Sequence, residues 1–107
     1  MSQLQERIAQ FRKMATDDPD NELAHYRLGQ LLLEAEQYPD AIASFRRTLE
    51  LFPQFSRAYV LLATAYLKTN QRAEAVETLK KGYATADERG DNVPREEMAR
   101  MLVQLGE

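Results

Sequence analysis

The chain has 107 residues, no Cys and a single His, His25, which excludes a disulfide framework, a thiolate metal site, a cysteine nucleophile and any site built from two imidazoles. Its net charge of −3 argues against nucleic acid, whose partners carry basic stripes. The start, Met1-Ser2-Gln3-Leu4-Gln5-Glu6-Arg7, has no apolar secretory core, and the longest apolar run, Tyr59 to Ala63, is far short of the roughly 20 residues of a membrane span. A soluble, cytoplasmic protein of one domain is expected, with no cofactor, no metal and no membrane partner.

In chain order, residues 3–18 predict an amphipathic helix with Leu4, Ile8, Phe11 and Ala15 on one face. Asp17-Asp18-Pro19-Asp20-Asn21 is a turn, and Asp20 or Asn21 can cap the helix that follows. It fails as a calcium loop, because position twelve holds Leu28 or Gly29 instead of glutamate. Leu28, Leu32 and Ala35 recur at helical spacing until a break at Gln37-Tyr38-Pro39-Asp40. Ala41, Phe45, Thr48, Leu49 and Phe52 mark a second helix that Pro53 stops, since the residue before a proline avoids helical angles. Leu62, Tyr66 and Thr69 begin the same scheme again. No proline stands at Asp87, so a helix over 72–89 runs on to Gly90. Asn92 is the expected cap of a final helix over 93–105, with Met98, Met101, Leu102 and Leu105 facing inward and Arg95, Arg100 and Gln104 on its polar side.

Shifting the chain by 34 residues lays Pro19 on Pro53, Ala24 on Ala58, Leu28 on Leu62, Ala41 on Ala75 and Phe45 on Leu79. Ile8, Ile42 and Val76 form one series through three copies. The chain divides into a half unit at 3–18, full units at 22–55 and 56–89, and the helix at 93–105. Each unit is two antiparallel helices; no segment alternates with the period of a strand.

His25-x-x-Leu28-Gly29-x-x-Leu32, Ala41-x-x-x-Phe45 and Pro53, followed by Tyr59-x-x-Leu62-Ala63-x-x-Tyr66 and Ala75-x-x-x-Leu79, resemble the tetratricopeptide repeat (TPR) family. The resemblance implies an all-α fold, a right-handed superhelix of antiparallel helix pairs with about six helices here. Small Gly29, Ala63, Ala41 and Ala75 let the helices approach, while Phe45 and Leu79 fill the space opposite. Gly82 inside a helix costs about 1 kcal/mol relative to Ala, which close packing by the final helix explains. The tail from Ala86 to Asp91 is similar to the ends of small bacterial members.

The resemblance further implies a concave groove lined by the first helix of each unit: Leu23, Tyr26, Gln30, Leu33 and Glu34, then Arg57, Val60, Thr64, Leu67 and Lys68. Tyr26, Leu33, Val60 and Leu67 are the expected apolar anchors, Arg57 and Lys68 meet acidic groups, and Gln30 and Thr64 bond a partner's backbone. The alternatives are that a cap helix covers this face or that two molecules pair through it or through the N-terminal helix, as a homodimer. One TPR subset grips C-terminal carboxylates with Lys and Asn on these faces. Tyr26, Gln30, Val60 and Thr64 stand there instead, against that specificity. His25 reads as a packing residue, and no serine has the His–acid setting of a nucleophile. The expected activity is protein–protein interaction, not catalysis.

Overall fold

The computed structural model describes residues 2–107, and among these it forms six α-helices and no strand: α1 (Gln3–Asp17), α2 (Glu22–Glu34), α3 (Tyr38–Leu51), α4 (Ser56–Lys68), α5 (Arg72–Arg89) and α6 (Asn92–Gln104). Each boundary has a local cause. Ser2 Oγ accepts the Gln5 N–H at 3.1 Å to start α1, and Asn21 Oδ1 accepts the Ala24 N–H at 3.1 Å to start α2. Pro39 lies in the first turn of α3, where its missing N–H costs no hydrogen bond. α3 stops at Leu51, two residues before Pro53. α5 ends at Gly90, whose φ of +74° closes the helix in the left-handed region that a side chain resists.

The final helix departs from expectation at its cap. It starts at Asn92, one residue early, so Asn92 is inside the helix and Asp91 precedes it. The Asp91 carboxylate makes no capping bond, being held by the Ser56 hydroxyl at 2.7 Å and Arg89 Nε at 3.0 Å.

Consecutive helices pack in antiparallel pairs, and α6 lies against both α5 and α4, giving a body of 40 × 27 × 20 Å. Two apolar clusters run through it. The first joins Ile8, Leu28, Leu31, Leu32, Phe45 and Leu62 with flanking Phe11 and Leu33; the second joins Tyr59, Val60, Ala63, Ala75, Leu79 and Met98 with flanking Leu67, Met101 and Leu102. Steric need explains the small residues. A Cβ on Gly29 would sit 2.6 Å from the Phe45 ring, and one on Gly82 would sit 2.5 Å from Tyr59 Cβ and 2.6 Å from Met98 Sδ. The final helix therefore packs onto Gly82, as the sequence required. His25 is half-buried, and its Nε2 lies 2.9 Å from the Pro19 carbonyl, to which it donates.

Candidate functional site

The inner face is built from α2 and α4, the first helices of the two complete pairs, with α3 and α5 behind them and α6 beside α4. α2 brings Leu23, Tyr26, Gln30, Leu33 and Glu34 to one side. Leu23 is 58% exposed. Tyr26 is half-buried: its ring centroid lies 4.4 Å from that of Phe55 and 6.0 Å, edge-on, from that of Phe45. Burial raises the Tyr26 hydroxyl pKa against the opposing pull of Arg57, so it is neutral at neutral pH. Gln30 Oε1 accepts from Arg27 at 2.6 Å, and Gln30 Nε2 donates to the Tyr26 oxygen at 3.4 Å. Leu33 packs against the first cluster, and Glu34 is exposed.

On α4 the expectation for Val60 is wrong. Val60 is 2% exposed and belongs to the second cluster, so it offers no contact to a partner. Leu67 is half-buried in the same cluster with Met101, Leu102 and Leu105. The cause is α6, which lies against α4 and covers this part of its face. Thr64 is half-buried and its hydroxyl donates to the Val60 carbonyl at 2.9 Å. Arg57 is exposed and paired with Glu97 across the α4–α6 contact. Lys68 is exposed and enters no ion pair among the described residues.

The residues missed in the sequence lie on α6. Four helix ends share one turn: Glu36 and Asn70 at φ +60°, Gly90 at φ +74° and Gly106 at φ +80°, with Gln37, Gln71, Asp91 and Glu107 N–H bonding Leu32, Tyr66, Ala86 and Leu102 carbonyls at 2.8, 2.8, 2.8 and 3.0 Å. The turn also ends α5, so what aligns α6 with the first helices α2 and α4 is its sequence pattern. Its spacing from α4 is 36 residues (Asn70 to Gly106), not 34. In this register Val93 corresponds to Leu23 and Arg57, Arg100 to Gln30 and Thr64, and Val103 to Leu33 and Leu67. Val93 is 76% and Val103 73% exposed. The signal was present: Met98-Ala99-x-x-Leu102 repeats Leu62-Ala63-x-x-Tyr66, two residues out of step.

One end of this face opens into a cleft of about 400 Å³ lined by Leu23, Phe52, Phe55, Arg57, Arg89 and Pro94. The Arg89 guanidinium sits over the Phe52 ring, 5.7 Å from its centroid, and Glu22 and Asp91 also line the cleft, so its walls are part apolar and part of mixed charge. Among the described residues no three His, Asp or Glu side chains gather as a metal site, and no helix is long and apolar enough to cross a membrane.

Known proteins match this architecture. A tetratricopeptide repeat model matches residues 32–93, and a second model of that repeat matches residues 5–54. A TPR repeat-containing protein of Pseudomonas aeruginosa is 31% identical over 98 residues, which cover 92% of this chain and 93% of that protein. The rat DnaJ homolog subfamily C member 3 is 32% identical over 79 residues, 74% of this chain; the matched part is 16% of the rat protein. In fold, the TPR2B domain of yeast Sti1, solved as a complex with pHsp70, aligns with a TM-score of 0.86 at 23% identity, covering 94% of this chain and 80% of the yeast one. Repeat spacing, helix pairing and family models agree: the chain belongs to the tetratricopeptide repeat family.

Proposed function

We propose that this chain is a protein-interaction module that holds a segment of a partner protein along the inner faces of α2, α4 and α6. The observation that carries this reading is the exposure of Leu23, Val93 and Val103, at 58%, 76% and 73%, on first helices that share one register. Isolated exposed aliphatics are ordinary; exposed aliphatics on one inner face, rimmed by polar groups, mark a binding surface. Between them lie Gln30, Thr64, Lys68 and Arg100, able to bond a partner's backbone or carboxylates. Each aliphatic gains at most about 1.5–3 kcal/mol on full burial, so the three anchors do not offset the cost of association alone and the polar contacts between them must contribute.

The complex of the yeast Sti1 domain with pHsp70 supports peptide holding as a use of this fold. The chemistry of the grip differs here. Tyr26 stacks on Phe55 and Val60 is buried, so neither supplies a cation where a carboxylate clamp needs one. Apolar anchors, not a terminal carboxylate, lead recognition.

The test replaces Leu23 and Val103 together with Asp, both exposed enough to leave the helices folded by circular dichroism. Affinity capture from the native cell should lose the proteins recovered by the unaltered chain. Equal recovery by the folded double variant rejects the inner face as the binding surface.

A further inference from the structure

α1 has the spacing of a second helix and α6 that of a first helix, and neither has its counterpart among the helices of the chain. In each complete repeat, a small residue of the first helix receives a large residue of the second. Gly29 lies beneath the Phe45 ring, and Ala63 shares the second cluster with Leu79, all of them buried. α6 carries the first-helix part of this arrangement. The match of Met98-Ala99-x-x-Leu102 to Leu62-Ala63-x-x-Tyr66 puts Ala99 in the register of Gly29 and Ala63, and Leu102 in that of Leu32 and Tyr66. Ala99 is only half-buried, unlike both counterparts. α1 carries the second-helix part: Ile8 and Phe11 correspond to Ile42 and Phe45. It packs on α2, with Arg12 reaching Asp40 of α3 at 4.0 Å, and its half-buried Phe11 ring has Arg27 over it, 5.8 Å from the centroid.

We propose that α1 of one molecule docks against α6 of a second copy, making a composite repeat and continuing the superhelix from end to end. A second copy is the occupant because one chain supplies both halves in matching register, Phe11 for Ala99 as Phe45 for Gly29. Glu107 stands in the register of Gln37, and Arg7 in that of Ala41, whose N–H bonds the Gln37 carbonyl at 3.0 Å. Docking therefore brings the Arg7 guanidinium, which has no ion pair among the described residues, toward a Glu107 carboxylate that Arg72 and Lys80 of α5 already hold at 3.3 Å each. Arg7 also limits the fit. Ala41 and Ala75 are fully buried, and the longer side chain in their place holds the composite pair apart. The association is accordingly weak and concentration-dependent. It is also heterologous: each molecule uses two different ends, so growth does not stop at two copies.

Sedimentation velocity from about ten micromolar to about one millimolar tests this. The unaltered chain should show a mass that rises with concentration and does not level at a dimer. Arg7→Ala, which restores the small residue, should tighten association about tenfold. Arg7→Glu, which keeps a long charged side chain at that position, should not tighten it, and Ala99→Glu should abolish it. Arg7 is exposed, so its two variants retain the fold and remain informative if Ala99→Glu unfolds. A strict monomer for both the unaltered chain and Arg7→Ala at the highest concentration overturns the proposal. So does a closed dimer, or an assembly that Arg7→Ala does not tighten.

Discussion

The α2–α3 and α4–α5 pairs solve one packing problem with different side chains. In the first pair the small partner is Gly29 and the large one Phe45; in the second they are Ala63 and Leu79, and all four are buried. The small side chain grows where the large one shrinks. A second correspondence is polar. His25 donates to the Pro19 carbonyl at 2.9 Å and Tyr59 to the Pro53 carbonyl at 2.7 Å, each reaching back over the turn to the residue six before it. A third position runs the other way: Thr48 is fully buried with a full side chain, whereas Gly82 has none because Tyr59 and Met98 fill its space. What repeats is filled volume and a bonded turn carbonyl, and residue identity follows from those.

The comparison can be broken most forcefully at Phe45. Phe45→Ala should cost about 3–5 kcal/mol in urea unfolding, because the ring is enclosed and the gap opposite Gly29 cannot collapse. That loss is comparable to the entire stability of a small domain. A cost below about 1 kcal/mol would show that the ring is not the filler of the first pair.

A sharper test converts one pair into the other. Gly29→Ala alone gains about 1 kcal/mol of helix propensity but drives a methyl into the Phe45 ring, an overpacking of about 1–3 kcal/mol. The net effect expected is a loss of about 1 kcal/mol. In a Phe45→Leu background the same substitution should stabilise, since Ala63 and Leu79 show that this combination packs. A double-mutant cycle reads the coupling directly. Additive effects would mean that the two pairs are filled independently. Smaller again, Tyr59→Phe should cost about 0.5–1.5 kcal/mol for the lost bond to the Pro53 carbonyl, measured by thermal unfolding.

The frame was legible in the sequence because its causes are local. Pro39, Pro53 and Gly90 each act within a turn of their own position, and the spacing of Leu28, Leu32, Ala41 and Phe45 shows which faces meet. The inner face was less legible because it depends on register between distant helices. A constant step of 34 lays Val93 on Tyr59 and makes α6 a polar cap. The true step of 36 makes α6 a third wall, bringing Val93 and Val103 to the surface and putting Val60 beneath the α4–α6 contact. Asp91 was missed as a tether for a similar reason: its partner Ser56 is 35 residues away, and nothing local announces the pairing.

The turns before α2 and α6 extend the comparison to acid. Asn21 caps α2 through a neutral amide, whereas Asp91 fastens the start of α6 to α4 through a carboxylate. The Ser56 hydroxyl holds the Asp91 pKa below the ordinary aspartate value, with Arg89 adding to the effect against some desolvation. A carboxylate depressed in the folded state stabilises fully above its unfolded pKa of about 4 and loses that contribution as pH falls through the lower folded value. Asp91→Asn should therefore lower the unfolding midpoint by a small, constant amount at neutral pH, and the gap should close below about pH 4. Asn21→Ala, which removes a cap without a charge, should lower the midpoint by an amount that does not follow this titration. Because Asp91 is in contact with solvent, the first gap should also narrow in high salt while the second does not. An Asp91→Asn gap that persists unchanged into acid would mean that the tether works as a neutral hydrogen bond and that the two turns are equivalent.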